Sequence, residues 1–224
     1  MMKNKLFRFS EIAKMEHVIE PTWEMLHTNN IPYKGKWREM VFGNNNPITL
    51  ELGCGKGEYS VGLARKYPNQ NFIGVDIKGD RIYIGAKQAT EEGLKNIVFL
   101  RTRIDFIDHF FEKDEINEIW LTFSDPQPKK SRKRLTSELF INRYRKFLKP
   151  DGIIHLKTDS DILFESTEEQ IKLHGYKSLF HTWDLYGDIN QLPEEDQETL
   201  QIKTYYEQLF TGKGAQIKYT KFTI

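Results

Sequence analysis

The residues best equipped for chemistry are Asp125 and the cations that follow it. In Phe123-Ser124-Asp125-Pro126-Gln127-Pro128-Lys129-Lys130-Ser131-Arg132-Lys133-Arg134 an acid ends an apolar run, and five cations then fall within six residues. A carboxylate in that place can stabilise a developing positive charge or accept from a base. The cations can each contact a phosphate, adding affinity that depends on salt and not on sequence. Such a block positions a nucleic acid without choosing a base. A charge run alone is ordinarily a solvated face, and its place beside a strand-end acid is what favours a functional role here.

A second constellation is Glu51-Leu52-Gly53-Cys54-Gly55-Lys56-Gly57. Alternate glycines permit positive φ and let a ligand approach the backbone. Nicotinamide-binding turns favour G-x-G-x-x-G, with a pyrophosphate on the following helix. The G-x-G-x-G spacing and the preceding Glu51 instead suit S-adenosylmethionine, which has no phosphate and carries an ammonium and a sulfonium. A tight turn without a ligand is the plain alternative. Asp76, after Phe72-Ile73-Gly74-Val75, has two acceptor oxygens for the hydroxyls of a ribose. Asp105 is placed to accept from an adenine amino group, with Asp108 as the alternative and helix capping as the structural role.

These residues need strands to carry them. Apolar runs predict strands over 48–52, 71–75, 97–100, 116–123, 153–157 and 176–183, with Asp76 closing the second. Helical spacing predicts helices over 58–67, 81–93, 136–148 and 162–174, with Thr136 capping the third and Gly175 ending the fourth. Pro150-Asp151-Gly152 reads as a turn, 184–200 as a long acidic surface loop, and 216–223 as a final strand, antiparallel at the sheet edge. Alternation of this kind gives an α/β fold, a mainly parallel sheet with helices on both faces and ligands at the strands' carboxyl ends. Glu51, Asp76, Asp105 and Asp125 then share one rim. Residues 1–46, without a long periodic segment, read as an N-terminal extension to a single domain over 47–224.

At 224 residues the chain fits one α/β domain better than two. With 38% apolar and 29% charged residues it reads as a soluble globular protein, and no window approaches the roughly 18 apolar residues of a membrane span. Met1 to Ser10 lacks the sustained apolar region of a signal peptide, so a cytoplasmic location is expected. The single cysteine, Cys54, excludes an intrachain disulfide and a cysteine-rich zinc site, and no metal is expected. A net charge of +1 means that any nucleic-acid role rests on local segregation. Cations crowd 129–149 while acids crowd 184–198.

From about Ile48 to the C-terminus the sequence resembles the bacterial tRNA (guanine-N7)-methyltransferases. Glu51 to Gly57 looks like the family's cofactor loop, and Asp125-Pro126-Gln127-Pro128-Lys129-Lys130 like its most specific signature. Thr158-Asp159 and Thr204-Tyr205-Tyr206-Glu207 correspond to two further motifs. The resemblance implies a Rossmann-like class I S-adenosylmethionine-dependent methyltransferase fold that acts on the variable-loop guanine of tRNA at position 46. It implies that Glu51, Gly53, Asp76, Asp105 and Asp125 hold the cofactor, with Asp125 also catalytic. Lys129, Asp159, Thr204, Tyr205, Tyr206 and Glu207 would contact the RNA. By composition alone Asp159 reads as a helix cap and Thr204 to Glu207 as a helix edge.

The sequence departs from that family at Gln127, where Trp is usual, in a basic arm about two residues shorter, and in a last motif that usually reads Thr-Lys-Phe-Glu. The expected partner is tRNA, with no membrane, and the chain is expected to be a monomer or homodimer. Two other classes compete. A small-molecule methyltransferase has no need of the basic block, and a non-catalytic RNA-binding protein would gain no stability from the cofactor.

Overall fold

The structure is a computed structural model and describes residues 2–28 and 30–224. Eight strands form one sheet: β1 (Val18–Ile19), β2 (Ile48–Leu52), β3 (Asn71–Asp76), β4 (Ile97–Arg101), β5 (Ile116–Thr122), β6 (Leu148–Thr158), β7 (Lys177–Thr182) and β8 (Lys218–Thr223). Their order is β1-β4-β3-β2-β5-β6-β8-β7. From β1 through β6 the neighbours run parallel, whereas β8 is antiparallel to both β6 and β7. The last strand is therefore antiparallel as expected, but it lies one place in from the edge, which β7 occupies.

Helices α1 (Met2–Ile12), α2 (Trp23–Thr28), α3 (Glu58–Lys66), α4 (Gly79–Glu91), α5 (Glu138–Tyr144), α6 (Asp161–His174), α7 (Leu185–Asp188), α8 (Glu194–Leu200) and α9 (Tyr205–Thr211) complete the chain. Side chains alternate across each strand, so Ile73 and Phe72 enter different cores. One core packs β2 to β6 against α5, α6 and Trp37. The other packs the sheet against α3 and α4 with Leu185, Leu192 and Leu200. In the second core the Phe99 ring lies where side chains on Gly57 or Gly74 would stand, with Cβ positions 2.5 and 2.8 Å from it.

Of the extension 1–46, Met1 and Asn29 lie outside the described residues. Parts of the remainder are anchored to the domain. α1, which the sequence pattern did not reveal, lies on α4, with Ile12 fully buried and Gly79 admitting it closely. β1 adds to the sheet beside β4, and the Trp37 indole N–H donates to the Phe110 carbonyl at 2.8 Å.

Three expectations need correction. Residues 184–200 are not a loop: α7, a 3₁₀ turn at Ile189–Gln191 and α8 bury Leu185, Leu192 and Leu200 beneath their acidic face. Glu194, Glu195 and Asp196 sit in the first turn of α8, where the helix dipole favours negative charge. The third predicted helix is only α5, because Leu148 already begins β6. Thr136 does not cap it; it is buried and bonded to the Thr167 hydroxyl at 2.7 Å, and Ser137 takes the cap position without a side-chain bond. Finally, β6 runs through Pro150-Asp151-Gly152, which lie in a bulge between the pairs Ile116–Leu148 and Glu118–Ile153.

Candidate active site

β2 and β5 lie side by side at the point where the strand order reverses, so the loops after them diverge and leave a crevice at the carboxyl ends. A cleft of about 760 Å³ opens there, lined by Gly53, Asp76, Asp105, Asp125, Asp159 and Tyr206 among others. A hollow of about 160 Å³ at the glycine turn shares Gly53, Arg81, Phe123 and Tyr206 with it.

Gly53 and Gly55 adopt φ of +85° and +56°, and a Cβ on either would meet no protein atom within 4 Å. The turn therefore offers bare backbone to open space. It is braced from behind: Gly53 and Cys54 N–H groups donate to the Val75 carbonyl at 2.8 and 3.1 Å, and Gly55 N–H to Asp76 Oδ2 at 2.9 Å. The other Asp76 oxygen accepts from Lys78 N–H at 2.8 Å.

Glu51 is a deeper support. It is 3% exposed and accepts from Ser60 N–H at 2.9 Å and from the Ser60 and Thr122 hydroxyls. Burial pushes its carboxyl up to about 7 against the pull of these donors. Burial, with Glu51 and Asp76 nearby, likewise raises the Cys54 thiol.

Asp125 stands on a bent segment. Phe123 and Gln127 on either side have φ of +49° and +46°, a region unfavourable to non-glycine residues. Asp125 Oδ1 accepts from Gln127 N–H at 2.9 Å. Its other oxygen takes no hydrogen bond from the described residues.

The basic block divides. Lys133 turns back to Asp105 at 3.0 Å, and Arg134 is buried with its Nε on the Pro126 carbonyl at 3.0 Å. Lys129, Lys130 and Arg132 are exposed, and their side chains have no hydrogen-bond or ion-pair partner among the described residues. Lys133, helped by Arg103 at 3.3 Å, holds the Asp105 carboxyl below the usual range. Asp108 faces away from the cleft toward Lys146 and Arg143, so it is Asp105 that lines the site.

Asp159 lines the cleft after β6, and the cap of α6 is the next residue, Ser160, which accepts from Leu163 N–H at 3.3 Å. Thr204 caps α9 by accepting from Glu207 N–H at 3.1 Å. Tyr205 and Tyr206 are 56% and 46% exposed, and Lys56 Nζ lies 4.9 Å from the Tyr205 ring centre. Glu207 points the other way, wholly buried, 2.8 Å from Lys157 Nζ and bonded to the Tyr186 hydroxyl.

Gly53, Asp76, Asp105, Asp125, Asp159 and Tyr206 thus share one cleft. Glu51 and Thr204 line the adjoining hollow, Lys129 and Tyr205 stay on the surface, and Glu207 lies inside. Arg81 and Lys133 also line the cleft. The sequence held no signal for Arg81; Lys133 was visible only as one cation of a block.

Residues 45–220 match the family model described as "Putative methyltransferase". The chain is 51% identical to the tRNA (guanine-N(7)-)-methyltransferase of Bacteroides thetaiotaomicron, over all of this chain and 87% of that one. It is 47% identical to the enzyme of the same name from Christiangramia forsetii, over 99% of this chain and 98% of that one. Among solved structures, the 16S rRNA methyltransferase KamB superposes with a TM-score of 0.61 at 15% identity, over 83% of this chain and 91% of that one, which shows a shared fold. A methyltransferase fold, its crevice at the β2–β5 reversal and near-full-length identity to these enzymes together place this chain in the bacterial tRNA (guanine-N7)-methyltransferase family.

Proposed function

We propose that the cleft binds S-adenosylmethionine and presents it to a tRNA, and that the chain methylates N7 of a guanine, the variable-loop guanine at position 46. The observation that carries this is the joining of two features in one place. A strand-end carboxylate, Asp125, opens onto the cleft beside the glycine turn, and three unpaired cations follow it along the chain.

The cleft fits the cofactor. Gly53 and Gly55 leave room against bare backbone, and Asp76 stands at the end of β3, where a ribose would lie. Asp105 lines the same cleft. When bound, S-adenosylmethionine supplies an electrophilic methyl group on a sulfonium. Guanine N7 has a lone pair and no proton to lose, so no general base is required of the protein.

What the reaction asks of the chain is alignment and charge. As N7 becomes alkylated the purine turns cationic, and a carboxylate fixed at its edge stabilises that change. Asp125 suits this role because Gln127 holds one of its oxygens and leaves the other for the ligand. Asp159 is the candidate acceptor for the base's N1–H and amino donors. Glu207 acts at one remove, through the position it gives Thr204 and Tyr206. Lys129, Lys130 and Arg132 supply affinity for the RNA backbone. A tRNA substrate also supports action in the cytoplasm, and among the described residues no helix is long and apolar enough to cross a membrane.

The test is to incubate unmodified tRNA with the protein and methyl-labelled cofactor, and to map the label. Label on guanine N7 in the variable loop is expected. Label on another atom, or on small molecules alone, would overturn the proposal.

A further inference from the structure

We infer that Arg81 is the counter-ion for the α-carboxylate of S-adenosylmethionine, an inference that rests on the cofactor assignment above. The cofactor's amino-acid end carries an ammonium and a carboxylate. The walls of the cleft and hollow are rich in acids, with Asp76, Asp125, Asp159, Glu51 and Glu58 among them, which suits the ammonium. The carboxylate needs donors, and most of those at the turn are taken, the Lys56 N–H excepted. At the glycine turn the N–H groups of Gly53 and Cys54 already serve Val75, that of Gly55 serves Asp76, and that of Gly57 serves the Cys54 carbonyl at 2.8 Å.

The side-chain cations are mostly committed as well. Arg103 and Lys133 are paired to Asp105, and Lys56 sits over the Tyr205 ring. Lys130 lines the cleft but is exposed on the basic arm and does not line the hollow at the turn. Arg81 differs from all of these. It stands in the first turn of α4, half-buried, lines both the cleft and the hollow, and its guanidinium has no hydrogen-bond or ion-pair partner among the described residues. A planar guanidinium binds a carboxylate through two parallel hydrogen bonds, a geometry that a lysine ammonium does not reproduce.

The test compares S-adenosylmethionine with its decarboxylated analogue, which keeps the sulfonium and the amine. Calorimetry on the full chain without RNA gives the dissociation constant of each for the unsubstituted protein, Arg81→Met and Arg81→Lys. The unsubstituted protein should favour the carboxylated ligand by about ten- to a hundredfold, the range of a charge-assisted pair. Arg81→Met should bind both ligands alike, with its affinity for the decarboxylated analogue, its melting temperature and its affinity for tRNA unchanged. Arg81→Lys should recover part of the preference.

Two results overturn the inference alone, while tRNA methylation by the unsubstituted protein stands: a preference retained in Arg81→Met, or weakened tRNA binding at unchanged cofactor affinity, which would assign Arg81 to an RNA phosphate. Failure of the unsubstituted protein to bind either ligand would overturn the cofactor assignment and this inference together.

Discussion

Lys157 and Glu207 meet 2.8 Å apart with neither side chain exposed, joining β6 to α9 across the interior. Lys157 also donates to the Leu200 and Ile202 carbonyls at 2.8 and 3.2 Å, so its three N–H groups fix both the end of α8 and the approach to α9. The last motif of the chain is therefore held from beneath, with Tyr205 and Tyr206 outside.

Removing one member of this pair should cost far more than removing both. Lys157→Met leaves a buried carboxylate uncompensated, for a loss of about 3–5 kcal/mol. Lys157→Met with Glu207→Leu should recover much of it, as read by urea unfolding. The pair also has a pH signature. Burial, its main cause, holds the Lys157 ammonium down at about 8. Between pH 8 and the ordinary lysine value the unfolded chain holds this proton and the folded chain does not, so the contribution of Lys157 to stability grows as pH rises. The double variant should lose that rise.

Glu51 gives the opposite slope at lower pH. Burial holds its carboxyl up at about 7 when folded, against an ordinary value of 4.5. In that window the folded chain holds the proton and the unfolded chain does not, so stability should fall as pH rises, on the order of 3 kcal/mol in all. A cationic ligand favours the ionised form, so affinity for S-adenosylmethionine should rise between pH 6 and 8. Glu51→Gln should flatten both profiles, measured by urea unfolding and calorimetry.

Asp125→Asn keeps the shape and removes the charge. It should lower kcat at saturating tRNA by about 10²–10³-fold, the range for losing one group aimed at transition-state charge. Near-normal turnover would exclude the electrostatic role.

Neutralising Lys129, Lys130 and Arg132 together should lower the log–log salt slope of tRNA binding by about 2–3 units. The same treatment of Arg134 should cost stability, because its guanidinium is tied to the Pro126 carbonyl. Binding measured from low to moderate salt separates the two.

The central strands are legible because both faces of β2, β3 and β4 are buried, which writes nearly continuous apolar runs into the sequence. Their carboxyl ends then follow, and with them Gly53, Asp76 and Asp125. Residues 184–200 read as a loop because three leucines among six acids look like a solvated segment until a sheet is there to receive them. α1 and the early end of α5 are hidden for the related reason that short helices are stabilised by what they pack on. Glu207 shows a further limit. A motif marks which residues matter, and only its burial beside Lys157 shows that this carboxylate faces inward.

The contact of Phe99 with Gly57 and Gly74 limits the order in which the chain can change. While the ring is in place, neither glycine can gain a side chain. If position 99 were first reduced to a smaller residue, the two nearest obstacles at Gly74 would be removed and the Ser60 hydroxyl, 3.0 Å from its new Cβ, would come next, whereas Gly57 would still carry its φ of +72°. One path is open, and it runs through position 99 before position 74. Change at Gly74, behind the cofactor turn, thus waits on a prior change at position 99.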